Sequence, residues 1–171
     1  MTSDEHTLDL EPLIPAHAAL LFEGLQDERL YRYYAGHPPA TLEELEKRYE
    51  GWSTRRSPDG TQIWLNYAVR RDDGAYVGWV QASIADAGAT IGYDIFPEFW
   101  RKGYGKAACA ALIGILAEEY RVQRIGATVD EGNVASIRLL ESLGFSPVWT
   151  GPSDDMPGRT DRRYEMQRAV G

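Results

Sequence analysis

The sequence has one cysteine, three histidines and no long apolar run, and each scarcity excludes a class of protein. Cys109 on its own cannot form an internal disulfide, and we expect it to be a core residue. His6, His17 and His37 lack the spacing of metal ligands, so we predict no metal site. No apolar stretch approaches the roughly 20 residues that span a bilayer, and the acidic N-terminal segment lacks the apolar centre of a signal peptide. We therefore expect a cytoplasmic protein with no membrane partner.

Positive charge is also scarce. Lys and Arg number 18 against 26 Asp and Glu, which gives a net charge of −8, and no basic block occurs. A nucleic-acid partner is not expected, because such partners are attracted by clustered positive charge. The chain has 171 residues, of which 43% are hydrophobic, so it can bury one sizeable core but not two comfortable ones. We predict a single domain over residues 1–171.

Hydrophobic periodicity and turn signals predict the order βααβββαβαββ. The predicted strands are residues 8–11, 63–70, 76–84, 90–96, 122–129, 145–149 and 162–169, and the predicted helices are 15–26, 41–52, 106–120 and a short helix that ends at Gly144. Thr41, with Glu44 three residues later, predicts a capping box at the second helix. The fold class is α+β (mixed α/β), with a mixed sheet that is antiparallel early. Its strands are parallel where a helix joins residues 90–96 to residues 122–129.

The stretch WRKGYGK, residues 100–106, places two glycines and three basic side chains at a helix entrance. A Walker P-loop does not fit, because Ala107 stands where Ser or Thr is required and Trp100 where the leading glycine is required. A dinucleotide-binding fingerprint fits glycine positions 103 and 105, but six residues separate the strand end at Phe96 from Gly103. A third interpretation is a helix N-terminus whose backbone N–H groups bind a pyrophosphate, and this one accounts for more of the chain.

Two motifs in the right order carry a family resemblance. IFPEFWRKGYGKAA resembles the acetyl-CoA loop of the GNAT superfamily of N-acetyltransferases, with Trp100 in place of the usual Gln or Arg. NVASIRLLESLGF, which begins at Asn133, is similar to the asparagine-led helix of one branch, the ribosomal-protein alanine and serine N-acetyltransferases. Weaker similarity extends to IGYDIFPE and DRRYEM. The resemblance implies a central, mostly antiparallel sheet flanked by helices, with acetyl-CoA at a splayed parallel strand pair.

The resemblance also implies a coenzyme site. The backbone at the helix entrance would bind the pyrophosphate, and the residues concerned are Arg101, Lys102, Gly103, Tyr104, Gly105 and Lys106. Asn133 would hold the pantetheine arm, and backbone groups near Ile95 and Phe96, at an expected bulge, would hold that arm and polarise the thioester carbonyl. Leu140 stands where many relatives have a tyrosine acid. Ser136 matches a serine that the resembled branch tends to carry three residues after the asparagine, so the resemblance implies that Ser136 contacts the sulfur or relays a proton. The cofactor that the resemblance implies is acetyl-CoA, with no metal.

The resemblance implies direct transfer of the acetyl group from acetyl-CoA to a primary amine, and this reaction suggests the remaining site residues. Asp94 is the first candidate for taking a proton from the ammonium group, and Glu98 is the second. In related proteins two loops border the acceptor, and the corresponding residues here are Tyr31, Tyr33, Tyr34, Asp154 and Asp155. The acceptor amine stays open between a peptide N-terminus and small molecules, and a homodimer also stays open.

Less specific interpretations stand beside these. Asn133 alone is equally typical of a helix cap, and Asp130 with Glu131 is typical of a solvated strand end. Function has alternatives too: a non-catalytic acyl-CoA-binding regulatory module and, third, a dinucleotide-binding domain.

Overall fold

The protein was analysed as a computed structural model, which describes residues 7–86 and 88–168. The strands are β1 (Leu8–Pro12), β2 (Ile63–Arg71), β3 (Tyr76–Ala85), β4 (Gly88–Ile95), β5 (Arg124–Asp130), β6 (Ser146–Pro152) and β7 (Thr160–Gln167). The helices are α1 (His17–Leu21), α2 (Leu42–Trp52), α3 (Tyr104–Glu118) and α4 (Val134–Ser142). Short 3-10 turns cover Gly24–Gln26, Glu28–Tyr31 and Pro97–Phe99. This order confirms the prediction; the predicted end of the last strand at Ala169, like His6, lies outside the described residues.

All seven strands form one sheet in the order β1-β2-β3-β4-β5-β7-β6. Neighbours are antiparallel except β4 and β5, the two strands joined through α3. Antiparallel neighbours need only tight turns, whereas a parallel pair needs a crossover, and α3 supplies it. The predicted mixed, mostly antiparallel sheet is therefore confirmed.

Helices cover both faces of the sheet, with a hydrophobic cluster under each pair. On one face α3 and α4 pack over the larger cluster, whose fully buried members include Leu65, Val80, Leu112, Leu116 and Leu140. Cys109, also on α3, is fully buried as expected, and its surroundings raise the thiol pKa to about 12. On the other face α1 and α2 pack over a smaller cluster built around Leu21, Leu45, Tyr49 and Phe96.

Local signals account for most helix ends. The Thr41 hydroxyl accepts from the Glu44 N–H at 3.1 Å, as the capping pattern predicts. Gly144 follows α4 with φ of 94°, a conformation that favours glycine after a helix. The first helix differs from expectation, because α1 ends at Leu21 instead of residue 26. The chain turns there into Gly24–Gln26, where a Cβ on Gly24 would lie 2.6 Å from the Phe96 ring. The predicted last turn of the helix is therefore a separate 3-10 turn, in which the Gly24 backbone packs against the Phe96 ring.

Candidate active site

The parallel pair β4 and β5 opens into a cleft. The two strands pair only where residues 88–90 face residues 124–126. Beyond that point β4 stays paired with β3 as far as Ile95, and β5 stays paired with β7 as far as Asp130. The strands therefore separate towards their C-terminal ends, and we call the space between residues 91–95 and residues 127–130 the cleft.

Backbone groups of β4 face this cleft. The Phe96 N–H donates to the Val77 carbonyl at 2.8 Å, which marks these two residues as a hydrogen-bonded pair of the β3–β4 ladder. Hydrogen-bonded and non-bonded pairs alternate, so the backbone groups of Tyr93 and Ile95 point away from β3, towards the strand that has left. The Ile95 carbonyl accepts from the Trp100 indole at 2.6 Å. Of the two predicted residues, Ile95 therefore directs its N–H at the cleft, whereas the Phe96 N–H is engaged in the sheet.

The bulge expected in β4 is absent. Residues 88–95 pair with β3 in unbroken register, and the irregularity of this region lies between β2 and β3, where Val69 pairs with Gly78 and Arg70 with Tyr76, so that β3 carries the extra residue. The expectation was wrong because separation from β5, with no extra residue in β4, is what exposes the backbone here.

The N-terminus of α3 lies at the mouth of the cleft. Gly103 caps the helix with φ of 83°, and Arg101 also has a left-handed φ of 61°. The helical ladder begins with the Ala107 N–H donating to the Gly103 carbonyl at 3.1 Å, so the preceding N–H groups are directed out of the helix end. Arg101, Lys102 and Lys106 are exposed beside them. Donors, helix dipole and cations together suit a diphosphate.

Tyr104 and Gly105 fix how this helix packs. The Tyr104 ring is buried in the core and its hydroxyl lies 3.2 Å from the Arg71 guanidinium, so only its backbone belongs to the predicted site. A Cβ on Gly105 would lie 3.0 Å from Leu139 Cδ1 and 3.7 Å from Tyr93 Cε2. The absence of a side chain thus lets α3 approach both α4 and β4 closely.

The N-terminus of α4 brings Asn133 and Ser136 to the same region. The Asn133 side-chain oxygen accepts from the Ser136 N–H at 3.2 Å, so Asn133 caps the helix. The cap is the less specific interpretation left open by the sequence; it engages the amide oxygen and leaves the NH₂ group to donate to a ligand. The Ser136 hydroxyl lies 2.6 Å from the Tyr93 hydroxyl. Sequence reasoning missed Tyr93 and treated Ser136 as the single side chain near the sulfur.

Asp94 lies on the face of β4 opposite to the one that carries Tyr93. Its Oδ2 accepts a hydrogen bond from the Tyr34 hydroxyl at 2.6 Å, and it stands directly across from Trp79 of β3. Burial raises the pKa of Asp94 to about 7, and the hydrogen bond from Tyr34 opposes that rise. The same burial, together with the negative charge of Asp94, raises the pKa of Tyr34. The pair is therefore a carboxyl that titrates near neutrality beside a phenol that stays protonated.

Glu98, the second candidate base, has different surroundings. It is exposed in the 3-10 turn after β4 and lines an open groove together with Glu23, Asp27 and Arg29. Asp94 does not line this groove. The two candidate bases therefore have separate surroundings, and Asp94 is the one beside Tyr34.

The loop before α2 reaches both walls of the cleft. Tyr34 contacts Asp94 of β4, and the Tyr31 ring packs on Tyr34 with centroids 5.5 Å apart. Tyr33 turns towards β5, where the Arg159 guanidinium lies 5.8 Å from its ring centroid. The three predicted tyrosines therefore lie over the end of the cleft.

Arg159 and Asp130 form an ion pair that the sequence analysis did not anticipate. Asp130 is only 5% exposed, and Arg159 donates to its two carboxylate oxygens at 2.5 and 2.9 Å. The prediction of a solvated strand end was wrong for Asp130, because the β6–β7 loop folds back over it. The predicted acceptor residues Asp154 and Asp155 are exposed in that loop. The residue of this loop that contacts Tyr33 is Arg159.

Within residues 7–86 and 88–168, no three His, Cys, Asp or Glu side chains are grouped to hold a metal ion. No helix in the described ranges is long and apolar enough to cross a membrane.

Comparison with known proteins defines the class. Residues 7–146 match the family described as acetyltransferase (GNAT) domain. The chain belongs to this family, and it is an N-acetyltransferase. The uncharacterised N-acetyltransferase YoaA of Bacillus subtilis is 25% identical over 142 residues, which cover 81% of this chain and 78% of YoaA.

Two solved structures share the fold at lower identity. One is an acetyltransferase of Salmonella typhimurium that modifies the N-terminal serine of the ribosomal protein L7/L12; its TM-score is 0.82 at 17% identity, with 95% of this chain and 96% of that chain covered. The other is the spermidine N-acetyltransferase of Vibrio cholerae, solved with CoA and spermine; its TM-score is 0.80 at 16% identity, with 94% and 95% covered. The ribosomal-protein branch predicted from sequence is thus among the structural neighbours. A dinucleotide-binding sheet, in contrast, is largely parallel, and the sheet here has one parallel pair.

Proposed function

We propose that this enzyme transfers the acetyl group of acetyl-CoA directly to a primary amine, either a peptide N-terminus or a small molecule. The observation that carries the proposal is the arrangement around β4. Tyr93 and Ile95 direct their side chains to the α3 face, where the glycine-capped helix begins, and Asp94 lies on the α2 face beside Tyr34. A donor and an acceptor bound on opposite faces would meet at the cleft.

The residues at the α3 entrance fit CoA. Acetyl-CoA, when bound, supplies an activated thioester. Backbone N–H groups of residues 101–106 would bind its diphosphate, reinforced by the helix dipole and by exposed Arg101, Lys102 and Lys106. The Asn133 NH₂ group would donate to the pantetheine arm, and the Ile95 N–H would polarise the carbonyl.

Asp94 is the proposed general base. An amine is nucleophilic only when it is neutral, so a group must accept the ammonium proton, directly or through a water molecule. A carboxyl with a pKa of about 7 is half ionised at neutral pH and is a stronger base than an ordinary aspartate. The Tyr34 hydroxyl donates a hydrogen bond to Asp94 Oδ2 at 2.6 Å and so fixes the position of the carboxyl group.

Loops around Asp94 would select the acceptor. The rings of Tyr31 and Tyr34 would offer aromatic faces to a cationic amine, whereas the Tyr33 ring, which already faces Arg159, would form part of the wall. Asp154 and Asp155 would add negative charge at the rim. The acceptors of the structural neighbours, an N-terminal serine and spermidine, belong to the two classes that the proposal keeps open.

Labelled acetyl-CoA tests the proposal. The protein would be incubated with peptides that begin with Ser or Ala, with spermidine, an aminoglycoside and free amino acids, and mass spectrometry would locate the label. We expect saturable acetylation of a primary amine in at least one class. Binding of acetyl-CoA without transfer to any amine would support the regulatory module instead, and binding of NAD without CoA would support the dinucleotide alternative.

A further inference from the structure

The hydroxyl pair of Tyr93 and Ser136 joins two elements that border the cleft. Their oxygens are 2.6 Å apart, although 43 residues separate them in the sequence. Tyr93 belongs to β4 and Ser136 to the first turn of α4. The Tyr93 ring also lies against the first turn of α3, 3.7 Å from the position that a Cβ on Gly105 would take. One side chain thus contacts both helix entrances that the coenzyme proposal uses.

The direction of this hydrogen bond follows from acidity. A phenol is a much stronger acid than an aliphatic alcohol, so Tyr93 is the better donor and Ser136 the better acceptor. Burial raises the pKa of Tyr93, so the phenol keeps its proton throughout the working pH range. Since Ser136 then accepts from Tyr93, its own hydroxyl proton is left to donate to a third group. A hydrogen bond received by a hydroxyl also strengthens the one that it donates.

We propose that Tyr93 is a positioning residue: it donates to Ser136 and thereby directs the Ser136 hydroxyl proton at the departing sulfur of CoA. This inference rests on the proposed acetyl transfer and deepens it. When the carbon–sulfur bond breaks, its electron pair stays on sulfur, and Ser136 donates a hydrogen bond to the thiolate. Tyr93 loses no proton in this step. The ammonium group loses one proton to Asp94 before the carbon–nitrogen bond forms, and the nitrogen loses a second proton to water once that bond has formed. The thiolate later takes a proton from water.

Four variants and a double variant test this arrangement by turnover. Ser136→Ala should lower kcat about 100-fold, as loss of a donor to developing charge does. Tyr93→Phe keeps the ring against α3 and should lower kcat about tenfold, the equivalent of one ordinary hydrogen bond. The double variant should be no slower than Ser136→Ala, because Tyr93 acts through Ser136. Ser142→Ala, also on α4, and Tyr120→Phe, just after the C-terminal end of α3, are the matched controls and should keep parental kcat.

A binding measurement separates positioning from packing. The parent should bind CoA more tightly than desulfo-CoA, and the preference should grow as pH rises and the thiol ionises. Tyr93→Phe and Ser136→Ala should each reduce this preference about tenfold near pH 9.5, while affinity for desulfo-CoA stays the same. Tyr93 remains protonated at that pH, so the contrast reports on the hydrogen bond to sulfur.

The outcomes are distinct. If the parent acetylates an amine while Tyr93→Phe keeps parental kcat and CoA preference, the inference is wrong and the proposed function stands. Additive losses in the double variant, or weaker binding of desulfo-CoA by Tyr93→Phe, would show that Tyr93 only packs the helices, which also overturns it. If the parent transfers no acetyl group and does not distinguish CoA from desulfo-CoA, the proposed function and the inference fail together.

Discussion

Replacing Tyr34 with phenylalanine should move the low-pH limb of activity towards higher pH. The Tyr34 hydroxyl donates to Asp94 at 2.6 Å, and a donor favours the ionised form of a carboxyl. It therefore opposes burial, which raises the pKa of Asp94 to about 7. Once the hydroxyl is removed, burial acts without this opposition and the pKa rises further.

The size of the shift follows from the energy of one hydrogen bond. A hydrogen bond to a charged group contributes about 1.5 to 3 kcal/mol, and one pKa unit corresponds to about 1.4 kcal/mol, so the pKa should rise by at least about one unit. If it moves from about 7 to about 8, the ionised fraction of Asp94 at pH 7 falls from about one half to about one tenth. At pH 7, kcat/KM should then fall about fivefold and recover above about pH 9.

The assay is CoA release between about pH 5.5 and 9.5, with the amine that the acceptor panel identifies. Ionisation of that amine contributes equally to the parent and to Tyr34→Phe, so the difference between the two profiles isolates Asp94. Tyr120→Phe removes a phenol remote from the cleft and should reproduce the parental profile. An unshifted limb in Tyr34→Phe would refute the assignment of Asp94 as the base. A uniform fall at every pH would mean that Tyr34 serves binding instead.

Three further variants test the other parts of the site. Asp94→Asn should lower kcat by about 100-fold or more with CoA affinity unchanged, whereas Asp72→Asn in an exposed turn should have no effect; parental turnover in Asp94→Asn would redirect the search to a base elsewhere. Gly103→Val should weaken CoA binding at least tenfold in calorimetry, because a β-branched residue is strained at φ of 83°. The control is Gly60→Val, which introduces similar backbone strain at φ of 74° in a distant loop and should bind CoA normally. Asn133→Ala should lower the free energy of unfolding by about 1 kcal/mol through loss of the helix cap. If the folded variant also binds CoA more than tenfold more weakly than the parent does, Asn133 contacts the pantetheine arm as well.

Local patterns predicted the elements of this fold well. The order of strands and helices, the β2–β3 hairpin and the caps at Thr41 and Gly144 depend on residues a few positions apart, which the sequence displays directly. The parallel pair was predictable because the helical segment between residues 96 and 124 has to connect two strands of one sheet. The glycine-capped entrance of α3 was predictable for the same local reason.

The side-chain partners at the site could not be predicted in this way. Tyr93 alternates with Ile91 and Ile95, which indicates its face of the sheet, but its contact with Ser136 depends on how closely α4 approaches β4. The Asp130–Arg159 pair joins residues that lie 29 positions apart in the sequence. Both contacts require knowledge of where separate elements lie in three dimensions, which neither periodicity nor spacing contains.

Partial burial raises the basicity of Asp94, and it also lowers the stability of the folded protein when Asp94 is ionised. Because the folded protein holds this proton more tightly than the unfolded chain does, the stability contributed by protonated Asp94 is fully present below about pH 4. It is lost as the pH rises through about 7, the range in which the carboxylate becomes an active base. A carboxyl with the ordinary aspartate pKa would avoid that loss, but it would be too weak a base for an ammonium group. The hydrogen bond from Tyr34 is therefore a compromise: it stabilises the ionised form enough for neutral pH and leaves the pKa about three units above that of a solvated aspartate.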